Sequence, residues 1–184
     1  MNFIKTAISD LYIIEPSVFG DNRGYFLESF NLEKFEENIY PIKFVQDNES
    51  KSSKGVLRGL HFQKPPFEQA KLVRCIEGRV LDVAVDIRRG SKTYGQHIAV
   101  ELSGENKKQL FIPRGFAHGF MVLSESATFA YKVDNNYASE YDSGIKYDDN
   151  YLNINWGLTD SEVQLSEKDI NLQAFKDLNS PFHF

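Results

Sequence analysis

Short apolar runs broken by glycine, asparagine and aspartate recur along the whole chain, and they leave little choice of architecture. Residues 11–15 and 24–30 read as strands, joined by the turn Gly20-Asp21-Asn22-Arg23-Gly24. Residues 44–46, 55–63, 71–77 and 79–86 continue the pattern, and Gly78 predicts a tight hairpin between the last two. Further strands are expected over 96–102, 109–112, 120–123 and 128–133. Helix signals are confined to residues 31–37, where Asn31 is an N-cap residue, and to part of 166–178, with Asp169 near its start. Many short strands at regular spacing, without long helices between them, predict an all-β sandwich or barrel.

At 184 residues the chain is long enough for a sizeable core, and with no repeat, linker or low-complexity tract it is expected to form one domain over 1–184. The net charge of -5 argues against nucleic acid as a partner, while leaving room for a local basic pocket that takes an anion. Cys75 is the single cysteine, so no intrachain disulfide can form. The first residues carry no basic segment followed by an apolar one, and no run is long enough to span a bilayer. The expectation is a cytosolic chain with no membrane partner.

The polar groups inside these apolar runs are the candidates for chemistry. Arg58-Gly59-Leu60-His61-Phe62-Gln63 sets an arginine three residues before a histidine, and Lys71 opens the next strand. An imidazole beside two cations suits removal of a proton next to a carbonyl, with the cations stabilising the enolate. A hydrogen-bonded core histidine and a lysine snorkelling from a strand edge are the competing structural readings. Because Arg58 and His61 are separated by an odd number of positions, an irregularity at Gly59 is needed to turn both inward. Asp82 and Asp86 share one face of a strand, opposite Leu81, Val83 and Val85. If that face is the barrel interior they need partners, for which Arg58, Lys71 and Arg88 are available; otherwise they form a solvated stripe. His118 lies in an aromatic, glycine-punctuated run, and Tyr131 is in phase with Phe129. His61 and His118 are far apart, no His-x-His pair exists, and His97 and His183 lack ligand spacing, so no metal is expected. No glycine-rich phosphate loop leads from a strand into a helix.

Taken together, these blocks resemble the dTDP-4-dehydrorhamnose 3,5-epimerase family. The shared stretches include Asp21-Asn22-Arg23-Gly24-Tyr25-Phe26, Gln46-Asp47-Asn48, residues 50–63 and 71–88, residues 112–120, Tyr131-Lys132, Asn155-Trp156 and Leu165-Ser166-Glu167-Lys168-Asp169. The resemblance implies a cupin-type jelly-roll barrel with a few short peripheral helices, acting without a cofactor on a dTDP-4-keto-6-deoxyhexose, as a homodimer. It casts His61 as the general base, Asp169 as its carboxylate partner, Tyr131 as the acid on the opposite face of the sugar, and Lys71 as the group that stabilises the enolate oxygen. Arg58, His118 and Asp82 would complete that cluster. Arg23, Phe26 and Glu28 match positions that reach a neighbouring subunit's nucleotide; Gln46, Asn48 and Tyr137 match further substrate contacts, and Lys168 a diphosphate contact. Two segments depart from the family pattern: residues 145–151, where a tryptophan followed by Asp-Pro is common, and Gly157 after Trp156, where proline is usual. Single-centre epimerases of related 4-keto sugars and a non-catalytic sugar-nucleotide-binding barrel remain alternatives on the same scaffold.

Overall fold

The structure is a computed structural model that describes residues 1–159 and 162–184. In chain order it contains β1 (Asn2–Lys5), β2 (Tyr12–Glu15), β3 (Val18–Asp21), β4 (Gly24–Leu27), α1 (Leu32–Asn38), β5 (Gln46–Ser53), β6 (Leu57–Gln63) and β7 (Lys71–Glu77). There follow β8 (Arg79–Asp86), β9 (His97–Ser103), β10 (Gln109–Ile112), β11 (Phe116–Val122), β12 (Ser126–Val133), β13 (Asp142–Gly144) and the one-turn helix α2 (Glu167–Ile170). The strands form two antiparallel sheets in the orders β1-β2-β10-β7-β12-β5 and β13-β6-β11-β8-β9, while β3 and β4 form a separate hairpin. This is all-β, as the pattern predicts, and it is the jelly-roll barrel with short helices that the family resemblance implies. Among the described residues, no helix is long and apolar enough to cross a membrane.

Three apolar layers hold the sheets. Val73, Val80, Leu102, Leu110, Phe120 and Phe129 fill the space between them. The outer face of the first sheet, through Ile14, Leu72 and Phe111, is covered by α1 and the segment after it. Asn31 caps α1, its side-chain oxygen accepting from the Lys34 N–H at 3.1 Å, and Phe35 is thereby placed edge-on to Phe3 and Phe111. The outer face of the second sheet, through Leu57, Leu60, Val83, Val85 and Met121, is covered by the C-terminal segment with Ile145, Leu152, Trp156 and Phe175. The two segments that depart from the family pattern lie in this outer layer, where Trp156 donates to the Tyr147 carbonyl at 2.9 Å. Because both faces of β11 are buried, it reads as a continuous run of enclosed side chains, not as an alternation.

Several expectations need correction. The polar segment Gln46–Ser53 is a full strand, not only its first residue, and β1 and β3 were not expected at all. The strand placed over 24–30 ends at Leu27, and β11 begins at Phe116, four residues before the expected start. The helix expected over part of 166–178 is present as a single turn, Glu167–Ile170, with a separate 3-10 turn at Phe175–Asp177.

The irregularity at Gly59 is present. The β6–β11 register pairs His118 with His61 but Phe120 with Arg58, and it shifts between them. Gly59 has φ +132°, and a Cβ built there would lie 2.5 Å from the Gly119 Cα and 2.8 Å from the His118 carbonyl oxygen. The shift sends Leu57, Leu60 and Phe62 to the outer layer and leaves Arg58 and His61 facing inward. Gly59→Ala is therefore expected to destabilise the protein by about 2–4 kcal/mol. Urea unfolding would check this, and a loss below about 1 kcal/mol would show that the contact yields easily.

Candidate active site

The barrel opens on one cavity of about 530 Å³. His61 and Arg58 enter it from β6, His118 from β11, Lys71 from β7 and Tyr131 from β12, while Lys168 and Asp169 come from α2. The two sheets thus supply opposite walls, with His61 and Tyr131 on different ones.

His61 is held through one nitrogen. Its Nε2 lies 2.6 Å from Asp169 Oδ1, and the other carboxylate oxygen accepts from the Ser166 hydroxyl at 2.6 Å. Ser166 is also the N-cap of α2, accepting from the Asp169 N–H, so the carboxylate is fixed from both sides. Burial works against the Asp169 charge, but the bonds from His61 and Ser166 outweigh it and hold the carboxyl below its ordinary range. A carboxylate at Nε2 assigns the imidazole proton to that nitrogen and leaves the Nδ1 lone pair available as a base.

Lys71 and Tyr131 are both tuned by burial. Enclosure lowers the Lys71 ammonium to about 8, with the Asp142 and Asp82 charges opposing the fall. Burial raises the Tyr131 phenol above its usual value; Arg58 opposes the rise and Asp142 adds to it. Tyr131 consequently keeps its proton at neutral pH. Burial likewise lowers His118, against the pull of Asp82, so its imidazole is neutral and donates to the Asp82 carboxylate at 2.9 Å. Arg58 donates only to the Ser52 hydroxyl, at 3.2 Å and 3.3 Å, and among the described residues it has no carboxylate partner. A cavity with a free guanidinium and a desolvated ammonium is made for an anion or a developing negative oxygen.

Asp82 is fully buried on the inward face of β8, which settles the choice between interior and solvent. Its direct partner is His118, not one of the expected cations, because His118 projects inward from the adjacent strand. Asp86 does pair with Arg88, at 3.0 Å, away from the cavity; Arg88 also reaches Asp10 at 2.8 Å and lies over the Phe116 and Phe184 rings.

The remaining predicted residues are spread more widely. Asn48 is opposite Tyr131 in the β5–β12 register and bonded to Gln46 at 2.8 Å, beside the cavity wall. Tyr137 is at the rim, its hydroxyl donating to Asp142 at 3.0 Å. Arg23 and Phe26 are on the exposed β3–β4 hairpin, away from the cavity. Glu28 is bonded to Lys34 at 2.6 Å and to Asn31. The sequence reading missed Asp142, Ser166 and the polar inner face of β5, with Ser50 and Ser52; an N-cap signal at Ser166 was the only cue available. Among the described residues, no three His, Cys, Asp or Glu side chains converge as a metal site.

A buried ammonium with a lowered pKa costs stability. Its folded value of about 8 against 10.5 unfolded means the penalty is full below about pH 8 and fades between about 8 and 10.5. Lys71→Met should therefore stabilise the fold by about 1–2 kcal/mol at pH 7, after allowing for residual solvent contact, and by less at pH 10. Thermal unfolding at both pH values would check this, and a variant less stable than the parent at pH 7 would refute the penalty.

Three comparisons bear on this geometry. A family model described as dTDP-4-dehydrorhamnose 3,5-epimerase matches residues 5–177. The dTDP-4-dehydrorhamnose 3,5-epimerase of Shigella flexneri is 56% identical over 178 residues, covering 96% of this chain and 97% of the relative. The crystal structure of the enzyme of that name from Elizabethkingia anophelis is similar with a TM-score of 0.93 and 56% identity, covering 97% of this chain and 98% of that one. A dTDP-6-deoxy-D-glucose-3,5-epimerase from Legionella pneumophila, solved with dTDP-4-keto-L-rhamnose, gives a TM-score of 0.95 at 49% identity, covering 100% and 98%. With the cavity, the dyad and these matches in agreement over nearly the full length, the chain belongs to the dTDP-4-dehydrorhamnose 3,5-epimerase family.

Proposed function

We propose that residues 1–184 act as one catalytic domain that inverts C3 and C5 of dTDP-4-dehydro-6-deoxy-D-glucose, giving dTDP-4-dehydro-L-rhamnose. The observation that carries the reading is the His61–Asp169 pair and a protonated Tyr131 lining one cavity from different sheets, with Lys71 on the same sheet as Tyr131. C3 and C5 both flank the C4 carbonyl, so a single enolate-stabilising cation serves both carbons. His61 Nδ1 takes the proton from carbon, and the electron pair moves to the C4 oxygen. There Lys71 meets the developing charge, with Arg58 and the neutral His118 nearby. Tyr131 returns a proton to the other face, and the enolate collapses to the inverted ketone. The proton held on His61 and the one lost by Tyr131 are reset by exchange with water after the first inversion, before the second carbon reacts, and again before the next turnover. Each step is balanced by side chains of the chain itself. The sugar-nucleotide chemistry fits a cytoplasmic setting, where such activated sugars are made.

Turnover in heavy water should place deuterium at both C3 and C5, read by NMR of the product, whereas label at one carbon would mark a single-centre epimerase. His61→Ala should abolish exchange while dTDP affinity stays near the parent value. Exchange surviving that change would remove the imidazole from the mechanism.

Tyr131→Phe keeps the ring and removes the proton donor. Inverted product should fall by about 10²–10⁴-fold while exchange at carbon persists. An equal loss of both would assign Tyr131 a structural role.

We infer a homodimer as the working assembly. Phe19 and Phe26 are 64% and 68% exposed on the β3–β4 hairpin, with Val18 and Tyr25 beside them, an apolar surface that a monomer would leave in water. Arg23 sits at its tip, and among the described residues its side chain has only Asp21 as partner. If the hairpin completes the partner's cavity, co-expressed His61→Ala and Arg23→Ala chains should regain activity that neither has alone. Their mixed dimer contains one intact site. Light scattering at the monomer mass, or no regain, would end this reading.

A further inference from the structure

Asp142, in β13, is a carboxylate that the proton transfers leave unused. Its side chain is only 10% exposed, and one oxygen accepts from two groups, the Tyr137 hydroxyl at 3.0 Å and the Lys168 ammonium. Those groups arrive from separate segments: Tyr137 from the stretch after β12, and Lys168 from α2. Tyr137 is 58% exposed and the Lys168 side chain about half exposed, and among the described residues neither side chain has another hydrogen-bond partner. Asp142 itself is anchored, because the β13 backbone pairs with Gln63, Phe62 and His61 of β6. One carboxylate, fixed to the strand that carries the base, is thus the tether for two otherwise loose side chains at the rim.

We infer that Asp142 is a positioning residue for the nucleotide end of the substrate, holding Tyr137 and Lys168 where a nucleoside diphosphate meets them. This rests on the proposed function for the identity of the ligand. Ordering a long exposed side chain during binding weakens affinity, and a tether already in place removes that cost. The tether need not break when the ligand arrives. An ammonium has three donors, so Lys168 can hold Asp142 and still offer two to phosphate oxygens. Tyr137, held by its hydroxyl, keeps both ring faces free. The opposing physical effect is repulsion between Asp142 and the diphosphate, and it predicts the reverse result: tighter binding once the carboxylate is gone.

The test is calorimetric titration of the intact protein with dTDP, alongside steady-state kinetics. Asp142→Ala should raise the dTDP dissociation constant and KM about tenfold. Its kcat should fall by less than KM rises, because Asp142 acts on the reacting groups only through its charge on Lys71 and Tyr131. Asp142→Glu should recover most of the affinity. In the Asp142→Ala/Lys168→Ala double variant the loss should be smaller than the sum of the two single losses, since the Lys168 part of the tether is already gone and only the Tyr137 part remains to be lost. Unchanged or tighter dTDP binding in Asp142→Ala, additive losses in the double variant, or a fall in kcat with KM unmoved would each overturn the assignment. If Asp142→Ala loses its native circular dichroism, the isosteric Asp142→Asn carries the same test: its dTDP affinity falls if the assignment holds and stays at the parent value if it does not. A parent protein that binds dTDP without turning over 4-keto sugars would sink the proposed reaction and leave this inference standing.

Discussion

Gly59 and Gly119 meet across β6 and β11 at a distance that leaves no room for a side chain on Gly59, and the register changes at that point. Every strand side chain alternates between faces, so without the shift Arg58 and His61 could not both point inward. With it, Leu57, Leu60 and Phe62 still reach the outer layer, and no apolar burial is lost. The same contact brings His118 opposite His61, and His118 in turn occupies the buried Asp82. Backbone proximity at one pair of glycines therefore decides the polar lining of the cavity from the second sheet.

Around that lining, charge is arranged so that each group is in the form its proposed chemistry needs. Asp169 stays ionised despite burial because His61 and Ser166 both donate to it. Tyr131 keeps its proton and His118 stays neutral, both through enclosure. Lys71 is the one group placed against its own preference, a cation in a poorly solvated space with Asp82 and Asp142 only partly compensating. Strain of this kind is favourable in function: a poorly satisfied ammonium gains most when a negative oxygen forms beside it.

The legible parts of the chain were those with apolar contrast. The runs that became β6, β7, β8 and β10 could be placed from their side chains, as could the hairpin at Gly78 and the Asn31 cap. Strand β5 was not legible, because its inner face carries Asn48, Ser50 and Ser52, of which Ser50 lines the cavity and Ser52 meets Arg58, and its outer face carries charges. With polar residues on both sides, hydrophobic periodicity has nothing to report. The β3 strand was hidden for a related reason, since both of its faces are exposed in this chain. Only part of 166–178 was expected to be helical, and its helix is broken into two short turns, Glu167–Ile170 and Phe175–Asp177, because apolar contacts over the outer layer, such as that of Phe175, hold the segment in place and no local propensity records them.

The sequence by itself determined the fold class, the chemistry-bearing residue types and the need for a break at Gly59, because short-range alternation and turn residues are local properties of the chain. Only the tertiary structure decided which groups became partners. Asp169 is 108 positions from His61, and Asp82 found His118 where nearby cations had been expected. Asp142 came to hold two segments at the cavity rim. Such pairings depend on sheet order and register, which arise from packing whole layers together, and a local pattern carries no record of which distant strand will lie next to it.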